Sequence, residues 1–407
     1  MAVTLIQTPS TTKITPAYNE NWFIAESDET AQPNFKFRVD ILDMISGSTW
    51  TEQIEPIYGT NRIHFDAGAY AEKYMVNYFN GNTYGWQNCV DAYRPMRIDI
   101  GETYGTTPTY YPPSGSTLYH VWNAGLDTQT YAYYDANNYL YDATTANYKF
   151  LTKTGNFKVF DDRSNYLYFI GTIGNTTDLP SLLINTYDAS GTLIGTSYID
   201  RPNYTTGLYD DQYQCIDIGV KGLTNIPSGL VTGTYPIITS SVASYEIRTY
   251  YSVIDQDSFV SMNYITCNPK YTVYTLHYLN QKGGYDTLHC TKVSEKTSTK
   301  TVTTFKQNPW NEVSNVMTYN QSMMLEKTQG VTLTDSLKLN SDWLTQEEFD
   351  LHRDLFASTD IRLDLGSSTP NISVKITNGN YIQKNNDKLR MLSFDLSYTF
   401  NNHRQRG

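Results

Sequence analysis

Residues 337–365 read LKLNSDWLTQEEFDLHRDLFASTDIRLDL, and they carry the strongest structural signals in the chain. Thr345 stands three residues before Glu348, so its hydroxyl and the carboxylate can each bind a free backbone N–H at a helix start. This capping box predicts a helix over 346–357, which the polar cluster at 358–360 ends.

The predicted helix carries apolar residues on two sides. At 100° per residue, Leu344, Leu351 and Leu355 fall on one side, while Phe349 and Phe356 fall nearly opposite. A helix lying on one sheet needs a single apolar stripe, so two stripes indicate burial on both sides. We expect the leucine side to pack on the C-terminal sheet. For Phe349 and Phe356 we expect an interface, formed either with a second domain of the same chain or with a partner subunit.

Composition favours a mainly β protein. Tyrosine accounts for 36 of the 407 residues. Tyr and Thr favour half-buried pleated surfaces and Asn favours turns, and this aromatic content argues against disorder. Acidic side chains outnumber basic ones by 41 to 30, so the net charge is −11, which argues against a nucleic-acid partner.

The length exceeds one core of ordinary size, so two or three domains are expected. Short strands, such as the alternating residues 35–41 and the apolar run 166–170, recur between turn clusters, a pattern typical of β-sandwiches. We predict a β-sandwich over 1–150, a second small β-sandwich over 151–262, and a C-terminal α+β domain over 263–407. The last domain combines a long hairpin, further strands and the capped helix.

The cysteines, Cys89, Cys215, Cys267 and Cys290, lie far apart without a CxxC pair, so free buried thiols are expected. Such thiols fit assembly in a reducing cytoplasm. The N-terminus lacks a signal-peptide pattern, and no apolar run is long enough for a membrane span, so we expect neither export by a standard signal nor a membrane partner.

Metal-binding and catalytic signals are weak. The histidines stand in no ligand spacing, and GxSxG, GxxxxGK[ST] and GxGxxG motifs are absent from the sequence. His277, His289 and Cys290 share a hairpin with Cys267 nearby, but the adjacent His289 and Cys290 point to opposite faces of a strand. We therefore predict no metal, no cofactor and no catalytic residue.

Two acid pairs, Asp161-Asp162 and Asp210-Asp211, invite a glycosidase interpretation, because glycoside hydrolysis uses two carboxylates. Adjacent side chains on a strand diverge, and both pairs stand in turn-like contexts where Asp is common. The chain is not expected to be an enzyme.

Residues 104–148 are rich in aromatic side chains. Trp122, Tyr133 and Tyr134 are candidates for glycan contact, since their faces stack on sugar rings. The same composition also fits a solvated loop with strands, or a subunit contact, where Tyr is enriched.

Residues 292–306 alternate lysines with threonines. A basic, Thr-rich strand of this kind is typical of a sheet edge that is protected against unwanted pairing.

Several short motifs recur in one known protein family. They are YLN and GGYD in the hairpin, a W-L-T-x-E-E helix start, an S-T helix end and a basic tail; the residues are Tyr278-Leu279-Asn280, Gly283-Gly284-Tyr285-Asp286, Trp343-Leu344-Thr345, Glu347-Glu348, Ser358-Thr359 and Arg404-Gln405-Arg406. With them the chain resembles minor structural proteins of phages and prophages of Bacteroidota, including crAss-like phages. Tyr285 stands where Trp is frequent in the family, and the tail lacks a paired Arg-Arg.

The resemblance implies a non-enzymatic virion protein that forms a ring at the tail, collar or baseplate, with a C-terminal domain similar to the tail-tube and distal-tail fold. The implied partners are copies of itself and other tail, portal or fibre proteins. The implied location is the virion tail, after assembly in the bacterial cytoplasm. Two alternatives stay open: a host-surface glycan-binding module, and a capsid decoration or head-fibre protein.

Overall fold

The computed structural model has a mainly β architecture, with 51% of residues in strands and 11% helical. The chain divides into two compact units. Unit 1 comprises Met1–Asn268, Tyr278–Thr287 and Gly366–Ser368, and unit 2 comprises Pro269–His277, Leu288–Leu365 and Thr369–Gly407. The residues that the structure describes are 3–9, 14–79, 81, 84–113, 117–135, 138–139, 150–171, 181–200, 213–251, 254–255, 261–266, 269–319, 325–366, 371–379, 389–399 and 403–406.

Most of unit 1 is built from short strands. They are β1 Thr4–Gln7, β2 Ile14–Pro16, β3 Trp22–Glu26, β4 Lys36–Asp43, β5 Thr49–Ile54, β6 Arg62–Asp66, β7 Trp86–Asn88, β8 Tyr93–Tyr104, β9 Thr109–Tyr111, β10 Thr117–Trp122, β11 Asn156–Val159, β12 Tyr166–Ile170, β13 Ser181–Tyr187, β14 Leu193–Ile199, β15 Tyr213–Asp217, β16 Val231–Gly233, β17 Ser244–Tyr251, β18 Ile254–Asp255 and β19 Ser261–Ile265. The helices are α1 Gly68–Ala71, α2 Thr128–Ala132 and α3 Val220–Asn225, with 3₁₀ turns at Glu72–Tyr74, Val90–Ala92 and Ser228–Leu230.

Four sheets organise these strands. Their orders are β1-β3-β6, β2-β10-β8-β4-β5 with β9 beside β8, β12-β15-β7, and β11-β19-β17-β13-β14-β16 with β18 beside β17. The β2–β10 and β11–β19 pairs are parallel, and the other strand pairs of these four sheets are antiparallel. Strand β5 is the last strand in the order β2-β10-β8-β4-β5, so it lies at one edge of its sheet.

The alternation in residues 35–41 forms β4, as predicted. Phe37, Val39 and Ile41 are buried while the residues between them are half-exposed. The same core takes Phe23 from β3 and Phe65 from β6. Each such side chain contributes roughly 1.5–3 kcal/mol when fully buried, so this shared core joins the two sheets.

The predicted domain boundary at residue 150 lies inside unit 1. Strand β7, from the first predicted domain, pairs with β15, from the second. Trp86 of β7 packs its ring 5.3 Å from that of Phe169. Backbone pairing and a common core therefore join residues that the sequence had assigned to separate sandwiches.

Helix α3 lies against the core of unit 1 although it contains a lysine and a glycine, Lys221 and Gly222. Val220 and Leu223 of α3 are buried in the core with Ile184. Packing of these apolar residues outweighs the turn preference of the intervening Lys221-Gly222.

Unit 2 contains one long mixed-length sheet. Its order is β21-β20-β26-β27-β28-β25-β22, with β29 beside β25, and β23 pairs with β24 separately. The strands are β20 Tyr274–Leu279, β21 Tyr285–Cys290, β22 Glu295–Lys306, β23 Trp310–Val313, β24 Val316–Tyr319, β25 Glu326–Asn340, β26 Ile361–Asp364, β27 Ile372–Gly379, β28 Ser393–Tyr398 and β29 His403–Arg406. Parts of β20 and β21 lie within residues 278–287, which belong to unit 1. These elements include the long hairpin and the further strands expected for the C-terminal domain.

The capped helix begins as predicted and ends early. The Thr345 hydroxyl accepts from the Glu348 amide, the Glu348 carboxylate accepts from the Thr345 amide, and helix α4 runs over Gln346–Leu351. At His352 the backbone leaves the helical region, and Arg353–Phe356 forms a 3₁₀ turn. The amide of His352 already bonds to the carbonyl of Phe349, three residues back, at 3.1 Å.

This tighter winding changes which side chains share a face, because a 3₁₀ turn advances about 120° per residue. Leu355 is fully buried and Phe356 half-buried. Leu344 precedes the helix and exchanges backbone hydrogen bonds with Arg390 at 2.7 and 2.9 Å. The two straight stripes of the sequence prediction therefore do not exist.

Candidate interaction surface

The most exposed part of unit 2 is a long β-hairpin extension, which we call the arm. It comprises the described residues of 295–334, namely β22, β23, β24 and the first part of β25. Every residue of β22, β23 and β24 is exposed. Beyond Gly330, where the pairing of β25 with β29 ends, β22 and β25 form a two-stranded ribbon, and such ribbons are marginally stable in water unless another surface covers them.

Strand β22 has the composition of an edge strand. It is rich in threonine, which favours extended backbone, and it pairs with β25 along its full length from Glu295 to Lys306. Among the described residues its opposite edge pairs with no strand. The strand therefore presents an open row of backbone donors and acceptors.

A buried carboxylate on β25 binds two side chains near the start of β22. Asp335 of β25 is 9% exposed and accepts a hydrogen bond from the Ser298 hydroxyl at 2.5 Å. The Lys296 ammonium lies 3.5 Å from its other oxygen. Beyond this point Lys300 has no ion pair among the described residues, so its charge is available on the edge.

The hairpin within the arm, β23 and β24, turns through Ser314 and Asn315. Their φ angles are 53° and 63°. Positive φ at both central residues defines a type I′ turn, whose twist matches that of paired strands. The turn sets the register in which Trp310 lies opposite Tyr319, with ring centroids 5.2 Å apart.

The hairpin exposes large apolar side chains on both faces. Trp310, Met317 and Tyr319 lie on one face, and Val313 and Val316 lie on the other. Each of the five is between 48% and 59% exposed. Clustered exposed Trp, Tyr and Met side chains are typical of protein interaction sites.

Sequence reasoning missed this hairpin, although residues 310–319, WNEVSNVMTY, carry a signal for it. Two short apolar runs flank the turn-forming Ser314-Asn315 pair, which predicts a hairpin. Exposure of its apolar residues does not follow from the pattern.

The candidate glycan residues do not form one exposed surface. Trp122 is fully buried, and its indole N–H donates to the carbonyl of Lys282 at 2.9 Å. The Tyr134 hydroxyl donates to the carbonyl of Ile14 at 2.6 Å, and burial raises the pKa of Tyr134. Tyr133 alone of the three is largely exposed, at 87%.

The two phenylalanines of the predicted interface lie against their own unit. Phe349 is 3% exposed, with the Arg390 guanidinium 5.7 Å from its ring centroid. Phe356 packs edge-on against Phe394 of β28. Phe349 is therefore buried within a single copy of the chain, and the interface role expected for Phe349 and the half-buried Phe356 stays a prediction.

The candidate metal ligands of the hairpin contact different residues. The Nε2 atom of His277 is 3.9 Å from Asp364, while Nδ1 of His289 is 2.9 Å from the Thr275 hydroxyl. Burial raises the pKa of the Cys290 thiol. In the described part of the chain no group of three or more His, Cys, Asp or Glu residues is arranged to hold a metal ion.

The remaining chemical candidates are the acid pairs and the cysteines. Asp162 pairs with the neighbouring Arg163 at 2.6 Å. Cys89, Cys215 and Cys290 are buried free thiols, as predicted. Cys267 and the Asp210-Asp211 pair lie outside the described residues.

The function of the chain has to be inferred from the arm, because comparisons with known proteins found no match: neither a known family model nor any curated protein matches the chain. Of the described helices, none has the length and apolarity needed to cross a bilayer.

Proposed function

We propose that the chain is a structural component of a bacteriophage virion, one that assembles into a ring in the tail, collar or baseplate. The arm is the observation that supports this function best. It exposes an open strand edge of twelve residues and a hairpin with five large apolar side chains. An assembly protein needs such surfaces, because sheet edges and aromatic anchors supply subunit contacts.

The fold classes expected from the sequence belong to this proposal. A β-sandwich arrangement suits unit 1, where the sheets containing β3 and β4 share one core. A tail-tube-like fold suits unit 2, where a long sheet carries one capped helix and a projecting hairpin. In a ring, the open edge of each copy is covered by its neighbour, so no free edge remains.

The proposal is tested by where the protein is found. Mass spectrometry of purified phage particles should detect the chain in constant stoichiometry with the other tail proteins. Particles that lack the chain would overturn the proposal.

A second experiment tests the arm directly. We expect the double substitution Trp310→Ser and Tyr319→Ser to leave the fold intact, because both side chains are about half exposed, and to abolish incorporation into particles. The matched control is Tyr133→Ser, which removes an exposed aromatic residue of unit 1. Incorporation of the double variant at the wild-type level would remove the hairpin from the assembly contact.

A further inference from the structure

We propose that strand β22 of one copy adds to strand β5 of a second copy, in an antiparallel register that places Lys300 opposite Glu52. This inference rests on the proposed function and names the contact that would build the ring. Both strands are sheet edges in the described part of the chain. Both also expose most of their side chains.

Charge selects this pairing over contact between two β22 strands. The edge strand carries Lys296, Lys300 and Lys306 against one acidic residue, Glu295, whereas the whole chain has a net charge of −11. Two such strands side by side would bring like charges together, which is destabilising. An acidic edge elsewhere on the chain is therefore the complementary partner.

Strand β5 offers that acidic edge. Its sequence is TWTEQI, and Glu55 follows it directly. Glu52 is exposed, and its carboxylate accepts a hydrogen bond from the Tyr70 hydroxyl but forms no ion pair among the described residues. Glu55 lies 3.7 Å from Lys36, so the uncompensated charge of this edge is that of Glu52.

The register follows from matching side chains along the two strands. When Lys300 faces Glu52 in an antiparallel pair, Val302 faces Trp50 and Thr301 faces Thr51. Val302 is 41% exposed on β22, and Trp50 is half-buried, packed against Tyr74 with ring centroids 4.6 Å apart. One register thus gives an opposite-charge pair next to an aromatic and β-branched pair, each a favourable cross-strand combination.

The two edges differ, so the contact is head-to-tail. Such heterologous contacts generate rings when the rotation between copies closes. Backbone hydrogen bonds of the added strand supply the association, and the Lys300–Glu52 pair fixes the register.

The experiment measures self-association of the full chain by sedimentation velocity over a range of concentrations and two salt concentrations. We expect Lys300→Glu and Glu52→Lys each to weaken association by roughly tenfold or more, because each creates a like-charge contact. The two reversals combined restore the opposite-charge pair and should recover association. Lys375→Glu is the matched control, an exposed lysine on the interior strand β27 of the same sheet.

A cross-link checks the register independently of charge. Thr301→Cys mixed with Thr51→Cys should give an intermolecular disulfide on mild oxidation, whereas Thr301→Cys mixed with Thr232→Cys, on the edge strand β16, should not.

Several outcomes would overturn the inference: a wild-type chain that stays monomeric at all concentrations, single reversals without effect, or a double reversal that does not recover. If purified particles nevertheless contain the chain, the proposed function stands without this contact. If particles lack the chain while the reversals behave as expected, the pairing holds and the virion assignment fails.

Discussion

At the scale of single residues, Phe349 shows how the chain stabilises its C-terminal unit. It occupies the fourth position of helix α4, directly after the capping box, and its side chain is buried. The Arg390 guanidinium covers the ring, and a cation in that position adds about 0.5–1 kcal/mol. The residue is therefore part of the core that holds the helix.

Replacing Phe349 should destabilise the unit itself. Phe349→Ala is expected to lower the free energy of unfolding by ~3–5 kcal/mol, the usual cost of truncating a buried Phe, and Phe349→Asp should unfold unit 2. Chemical denaturation followed by circular dichroism measures both changes. Phe356→Ala is the control and should cost less, because its side chain is only half-buried. A folded, stable Phe349→Asp variant would contradict this account.

Sequence reasoning at this scale located the capping residues and misjudged the aromatic ones. Thr345 and Glu348 were predictable because a capping box depends on residues three apart in the chain. Trp122 and Tyr133 were not separable by composition, since a buried tryptophan and an exposed tyrosine occur in similar aromatic surroundings. Their burial depends on distant contacts, such as the bond from Trp122 to Lys282.

At the scale of elements, the β23–β24 turn is the most easily altered feature of the arm. Ser314 adopts a positive φ, which costs a residue with a side chain roughly 1–2 kcal/mol. Asn-Gly is the preferred sequence for a type I′ turn. The natural Ser314-Asn315 pair therefore leaves the hairpin less stable than the turn type allows.

Installing the preferred turn should stabilise the hairpin. The double change Ser314→Asn and Asn315→Gly is expected to gain about 1 kcal/mol of local stability, because both residues then tolerate positive φ. Slower hydrogen exchange at the amides of Val313 and Val316, the pair that closes the turn, measures the gain. Asn315→Val, which places a β-branched residue at positive φ, is the opposing control and should speed exchange. Equal exchange in all three proteins would rule out control of the hairpin by its turn.

Among the elements, strands with one buried face were the most predictable. Residues 35–41 alternate between apolar and polar side chains because Phe37, Val39 and Ile41 face a core. This two-residue period can be recognised in the sequence alone. The 3₁₀ turn after α4 was not predictable, since apolar spacings of three and four residues serve both helix types. The hairpin surface was missed because residues 310–319 place apolar side chains on both faces, and no period separates a core face from a partner-binding face.

At the scale of the whole molecule, each of the two compact units is assembled from separate stretches of the chain. Residues 278–287 belong to unit 1 although they are separated from it in sequence. Tyr285 is fully buried there, between Phe79 and Tyr168. The Tyr213 hydroxyl donates to the carbonyl of Gly283 at 2.7 Å. Local patterns could not reveal this, because they carry no information on which distant segments meet.

A truncation comparison tests the contribution of this segment. A fragment of residues 1–268 lacks the acceptors for Trp122 and Tyr213, and each buried donor left unpaired costs about 1–3 kcal/mol. We expect a fragment of residues 1–291, which keeps them, to melt higher by roughly 10 °C. Thermal unfolding followed by near-ultraviolet circular dichroism compares the two. Identical melting curves would show that residues 278–287 do not support unit 1.

Because unit 1 is built from three separate stretches of chain, it is complete only after the ribosome has synthesised the last of them. At about 5–20 residues per second, synthesis needs a further few seconds after residue 268 before Tyr285 emerges, and longer before residue 366 follows. Until then the aromatic site around Phe79 and Tyr168 stays open on the nascent chain. A nascent-chain-binding chaperone that shields exposed aromatic surface would find its substrate in that interval, and translational pausing near residue 280 would lengthen it.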